Sequence, residues 1–237
     1  MDRLFREVSN AFGAARLRGM GPTSTPVGDL EAVEARLGAV RTWLQLESPA
    51  DAGRFPYHLA LKNARTADLR TAGPVHGGEK YGLVLTLDEA IVASGSIDQR
   101  YVYVFAIDSA GKSTLLYPAA TGGNVENRLP TRVNADGSLP REIALGRRDQ
   151  FSITPPFGID TYIMLTSATA LPDPLVLEGD AVRTRDLTRG ADNPLSRLLA
   201  AAGTGKRGQG VTTPTDWSLE RLTIESTAEA GRQSGGY

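Results

Sequence analysis

The sequence predicts a mainly β fold, an antiparallel β-sandwich with short N-terminal helices, and three observations carry that expectation. Tyr101, Tyr103 and Phe105 alternate with Val102, Val104 and Ala106, so both faces of this segment are apolar and it is expected to lie between two layers. From residue 41 onward, apolar side chains recur with a period of two rather than 3.6. Gly, Asn, Asp and Pro then punctuate the chain at short intervals, as they do where strands are joined by turns. About eight short strands separated in this way favour a sandwich of immunoglobulin-like type over a doubly wound sheet.

Residues 1–40 are expected to be a helical segment and linker. Leu4, Phe5, Val8, Phe12 and Ala15 share one side of a helix. The Gly- and Pro-containing stretch 19–28 reads as a linker, and Asp29 caps a second short helix with Leu30, Val33, Leu37 and Val40 as its stripe. The β-sandwich domain is expected over 41–226, followed by a tail over 227–237. Its first strand is predicted where Thr42, Leu44 and Leu46 oppose Arg41, Trp43 and Gln45, and its second where Tyr57, Leu59 and Leu61 oppose His58, Ala60 and Lys62. Asn63 to Asp68 supply a turn into a short strand at Leu69, and Gly77 and Gly78 introduce a strand with Tyr81, Leu83, Leu85 and Leu87 on one face.

The central hairpin runs from Arg100 to Pro118, with Asp108, Ser109 and Gly111 as turn residues. Beyond a loop over Thr121 to Asn127, strands are predicted from Glu142 to Leu145, Phe151 to Thr154 and Thr161 to Ser167. Periodicity is weak over 173–192, Pro194 opens a short helix with Leu195, Leu198 and Leu199, and the composition of 203–212 is that of a mobile loop. In the last strand Trp217 and Leu219 alternate, as do Leu222 and Ile224, but the phase breaks at Glu220 and Arg221, which predicts a bulge.

Three stretches carry a resemblance. They are Tyr101-Val-Tyr-Val-Phe105 with Gly111-Lys-Ser-Thr-Leu-Leu-Tyr-Pro118, then Gly123-Asn-Val-Glu-Asn-Arg-Leu-Pro130, then Thr154-Pro-Pro-Phe-Gly-Ile-Asp-Thr-Tyr162. Together they resemble a bacterial accessory β-domain of unknown function that often follows a caspase-like peptidase domain, and Asp216 to Ile224 is similar to the way such chains end. The similarity spans residues 40–226. It implies a non-catalytic accessory or protein-interaction domain with a protein partner, either the C-terminal part of a caspase-like peptidase protein or a free-standing relative. It implies no catalytic residue for this chain.

Composition narrows the function further. A caspase-like enzyme needs a Cys thiolate, and the chain has no Cys, which also removes disulfides and thiolate metal sites. A net charge of −1 gives no basic footprint for nucleic acid. No apolar run approaches the roughly 20 residues of a membrane span, and residues 1–7 lack the apolar core of a secretory signal. Cytoplasm and periplasm of a bacterium both remain open.

Several motifs imitate active sites without their context. Ala106 to Ser113 fits a relaxed phosphate-loop pattern, but Thr114 to Pro118 is short, β-like and ended by Pro where a helix is required. Gly203 to Gly208 spells a dinucleotide fingerprint yet follows a helical stretch rather than a strand. Asn134 to Gly137 resembles half a calcium loop, but Arg132 occupies the first ligand position, so an Asx-type turn is expected. His58 and His76 lack a metal-ligand spacing or a nucleophile elbow. No catalytic residue, metal or cofactor is therefore assigned.

The candidate binding residues are Asn124, Glu126, Asn127 and Arg128, in a Gly-containing loop of the kind sandwich domains use for recognition. The bland alternative is that Asn124 and Asn127 hold the loop through bonds to backbone. A carbohydrate or small-ligand-binding β-sandwich of the cell envelope is the alternative function, weakened by an aromatic content of only 6%, and a hydrolase ranks third. Replacing Lys112 by Ala is expected to change stability by less than about 0.5 kcal/mol. ATP or GTP binding that this substitution abolishes would instead reveal a phosphate loop.

Overall fold

Alternation becomes two sheets whose strands are, in chain order, β1 (Tyr57–Asn63), β2 (Leu69–Arg70), β3 (Pro74–His76), β4 (Lys80–Leu87), β5 (Arg100–Ile107), β6 (Ser113–Tyr117), β7 (Arg128–Leu129), β8 (Glu142–Ala144), β9 (Gln150–Ser152), β10 (Ile159–Ser167) and β11 (Trp217–Thr227). A short helix, α1 (Glu89–Ala93), follows β4, and Pro174–Leu177 form a 3-10 turn. The structure, a computed structural model, describes residues 43–44, 46–49, 55–93, 97–107, 113–119, 126–131, 133–146, 150–155, 157–171, 173–178, 195 and 215–228. The helices and linker expected over 1–40, the hairpin tip at 108–112, the 203–212 loop and the tail beyond 228 lie outside the described residues.

The first sheet runs β2-β1-β4-β8, with β9 also on β4, and the second runs β3-β11-β10-β5-β6, with β7 on β5. Pairing is antiparallel except between β11 and β3. Tyr57, Leu59, Leu61, Tyr81, Leu83 and Leu85 of the first sheet share one apolar cluster with Val102, Val104, Ala106, Tyr162, Met164, Leu222 and Ile224 of the second. This is the inter-sheet core.

The opposite face of the second sheet is buried as well. Tyr103, Phe105, Ile107, Leu115, Ile163, Leu165 and Trp217 pack against Trp43, Leu46, Leu171, Leu177 and Leu195. The position of β5 between two layers therefore follows the expectation, and its residues 102–107 are all buried. Tyr103 and Phe105 face this outer layer, while Val102, Val104 and Ala106 face the other sheet.

Two local expectations are corrected. Trp43 and Leu44 are helical rather than part of a strand, with Trp43 and Leu46 buried and Leu44 exposed. A spacing of three puts Trp43 and Leu46 on one side of a helical turn, and the Arg221 guanidinium donates to the carbonyls of Trp43, Leu44 and Leu46 to hold that turn on β11. In β11 there is no bulge, because its register with β10 is unbroken from Glu225 to Trp217. The phase break has another cause: Trp217 and Leu219 face the outer layer and Leu222 and Ile224 face the inter-sheet core. The register shift lies instead in the β5–β6 pair, between Val104 and Phe105, so that Leu115 and Tyr117 enter different clusters.

Side chains close the exposed strand edges. Glu220 accepts the Leu59 N–H at 3.1 Å, Glu178 accepts the Leu115 N–H at 2.8 Å, and Ser48 accepts the Leu219 N–H at 2.8 Å. An edge amide bonded to a side chain no longer offers itself to another strand. Phe105 is fully buried against Trp43, ring centroids 5.2 Å apart. Phe105→Ala is expected to cost about 3–5 kcal/mol in denaturant unfolding, and an unchanged midpoint would mean that the outer layer does not cover β5.

Candidate functional site

The loop chosen from sequence is anchored more firmly than its composition suggests. Asn127 is buried, its side-chain N–H donates to the Val102 carbonyl at 3.0 Å, and its own carbonyl accepts the Val102 N–H at 2.9 Å. Asn127 thus fastens the loop to β5. Glu126 and Arg128 on either side are exposed, and the Arg128 guanidinium lies 5.9 Å from the centre of the Tyr101 ring. Asn124 lies outside the described residues.

A second cluster was not visible in the sequence. On β1, His58 Nε2 is 3.0 Å from Asp88 Oδ2, and Nδ1 is 3.1 Å from Glu220 Oε2. Asp88 also accepts the Ala90 and Ile91 amides at the start of α1, while Glu220 holds the β1 edge through Leu59. Burial opposes charge on His58, but the hydrogen bonds and charges of the two acids outweigh it and raise its pKa above the ordinary 6.5. Burial raises Glu220, whereas the His58 hydrogen bond lowers Asp88.

This constellation is not a catalytic triad. A triad needs a histidine nitrogen free to take a proton from a nucleophile, and both nitrogens here face acids. Nor do the acids converge on a common point, since they sit at opposite nitrogens of the ring, and no group of metal-binding side chains occurs among the described residues. His76 is bonded to Thr227 at 2.9 Å, away from this cluster.

Beside Asp88 a groove of about 470 Å³ opens between α1 and the 134–141 segment, lined by Leu87, Glu89, Val92, Asp136, Leu139 and Arg141 among others. The expected Asx-type turn forms its far wall: Asp136 accepts the Ser138 N–H at 2.9 Å, Asn134 donates to Ser138 Oγ at 2.8 Å, and Gly137 takes the positive φ the turn requires. Tyr57 donates to the Pro140 carbonyl at 3.0 Å, and burial pushes its hydroxyl up to about 12, so it remains a donor at any working pH. Arg141 and Glu89 pair across the groove at 3.3 Å.

A third polar cluster sits inside the second sheet. Arg100 is wholly buried, donating through Nε to Thr166 at 3.0 Å and through Nη2 to Asp216 at 2.6 Å, while Nη1 has no partner among the described residues. Thr166 in turn bonds Ser218 at 2.6 Å, so the cluster links β5, β10 and β11. Where a phosphate loop would require a helix, Ser113–Tyr117 form β6. Among the described residues no helix is long and apolar enough to cross a membrane.

Comparison with protein-family models, with curated proteins and with solved structures finds no match to this chain. The Arg100 cluster makes its own prediction. Asp216, whose side chain is 44% exposed, is the carboxylate of a buried guanidinium, so Asp216→Ala is expected to cost about 1–3 kcal/mol, whereas Arg100→Met combined with Asp216→Ala restores most of that loss. Equal destabilisation of the single and double variants by urea unfolding would show that the charge pair does not govern this site.

Proposed function

We propose that this chain is a non-catalytic accessory domain that binds a protein partner, built as an immunoglobulin-like β-sandwich and related to the domains that accompany caspase-like peptidases. The observation that carries the reading is the Glu126–Arg128 loop. Asn127 locks it to β5, so the exposed acid and the Tyr101-stacked guanidinium are presented on a fixed frame, and Arg and Tyr are the residue types that dominate binding energy at protein interfaces. Little ordering entropy is then lost on contact.

Strand order supports the architecture. The run β11-β10-β5-β6, with β3 parallel to β11, corresponds to the G-F-C-C′ sheet of a variable-type immunoglobulin domain with an early strand beside G. The antiparallel run β1-β4-β8 corresponds to A-B-E. Against enzyme function stand the absence of Cys and the engagement of both His58 nitrogens. The groove beside α1 is the place for the small-ligand alternative, but among the described residues its lining contains no aromatic ring on which a sugar would stack.

Titration of the purified chain with a caspase-like peptidase domain supplied in trans tests the proposal. Binding is expected, and Glu126→Ala with Arg128→Ala is expected to weaken it at least about tenfold, or about 1.4 kcal/mol, without altering melting. Undiminished binding by the double variant would place the interface elsewhere. No binding by the parent chain would defeat the peptidase-partner reading.

A further inference from the structure

We propose that His58, gripped between Asp88 and Glu220, is a proton-operated latch that fastens the edge of β1 to β11 and the start of α1 to β1. Ionised carboxylates only accept hydrogen bonds, and a neutral imidazole carries a single ring N–H. Contacts of 3.0 and 3.1 Å at opposite ring nitrogens are therefore both satisfied only by the imidazolium. When the ring loses a proton, a nitrogen lone pair faces a carboxylate oxygen and one of the two contacts opens.

The surroundings supply no substitute cation among the described residues. On β1, Lys62 is committed to Glu142 of β8 at 2.6 Å; on α1, Glu89 pairs with Arg141; on β11, Arg221 is turned to the carbonyls of Trp43, Leu44 and Leu46. Thr86 of β4 contributes a hydroxyl, donated to the His58 carbonyl at 3.3 Å. Glu47, on the segment beside β11, is exposed. The ring is thus left with two acids and no competing base.

The direction of the effect follows from the shifts. His58 is raised above 6.5, so its stabilisation is complete below that pH and is lost as pH rises through the folded-state value. Asp88 is lowered, so its contribution is present above 3.8 and disappears as pH falls through its lowered value. Glu220 is raised, so folding favours its protonated form and its ionisation works against the fold as pH rises. The latch is consequently closed between the titrations of the two carboxylates and the folded His58 titration, and released above the latter. Release therefore deprives one carboxylate of the ring that positions it: Glu220, which also accepts the Leu59 edge amide, or Asp88, which caps α1 beside the groove.

Nitrogen-15 imidazole titration and amide exchange on the full chain test this together. The expected results are an apparent His58 pKa above 6.5 that returns toward the ordinary value in Asp88→Asn with Glu220→Gln, and protection at Leu59, or at Ala90 and Ile91, that falls on the order of tenfold between about pH 6 and about pH 9 after correction for intrinsic exchange. In His58→Asn that pH dependence should be absent. An apparent pKa at or below 6.5, or the same pH dependence in parent and His58→Asn, would overturn the latch. If His58→Asn fails to fold, the ring titration of the parent decides the matter alone.

Discussion

The second sheet must be covered on both faces, and most of the structure is a response to that constraint. In β5 and β10, odd and even positions alike carry large apolar side chains, so burying one face against the first sheet would leave Tyr103, Phe105, Ile163 and Leu165 in water. The outward face of the first sheet is more polar, since on β1 it carries His58 and Lys62 on either side of buried Ala60. Trp43, Leu46, Leu171, Leu177 and Leu195 supply the cover, Trp43 from a helical turn and Leu177 from the 3-10 turn. The register shift in β6 and the change of buried face along β11 are local adjustments to the boundary between these two apolar layers.

Polar side chains then act chiefly as fasteners. Glu220, Glu178 and Ser48 occupy edge amides that would otherwise be open to a neighbouring strand, and Arg221 holds the Trp43 turn in place by its backbone carbonyls. Arg100 performs a related task inside the sheet, at the cost of one nitrogen without a partner among the described residues. Among the described residues, Glu126 and Arg128 are exposed on either side of the anchored Asn127.

How much of this was legible in the sequence depended on range. The double-faced burial of β5 could be read because it is written in consecutive residues, and the Asn63 and Asn134 turns could be read because their side chains bond backbone only a few positions on. The turn at Trp43 was mistaken for a strand because, over four residues, spacings of two and three both find an apolar partner. Helix α1 was missed because five residues give no periodicity, although Asp88 followed by Glu89 was its capping signal. Nothing local could connect His58 to Asp88 and Glu220, 30 and 162 residues away, or Arg100 to Asp216. The sequence left Asn127 between recognition and a loop-holding role, and its bonds to Val102 are of the loop-holding kind.

The chain contains two tryptophans, Trp43 in the cover and Trp217 on the outer face of the second sheet, and both are buried in the cluster between them, 1% and 0% exposed. Intrinsic fluorescence therefore reports that layer without any substitution. Blue-shifted emission that acrylamide and iodide fail to quench until the protein unfolds is the result the double-faced burial of the second sheet predicts, whereas red-shifted, readily quenched emission from the folded chain would contradict it.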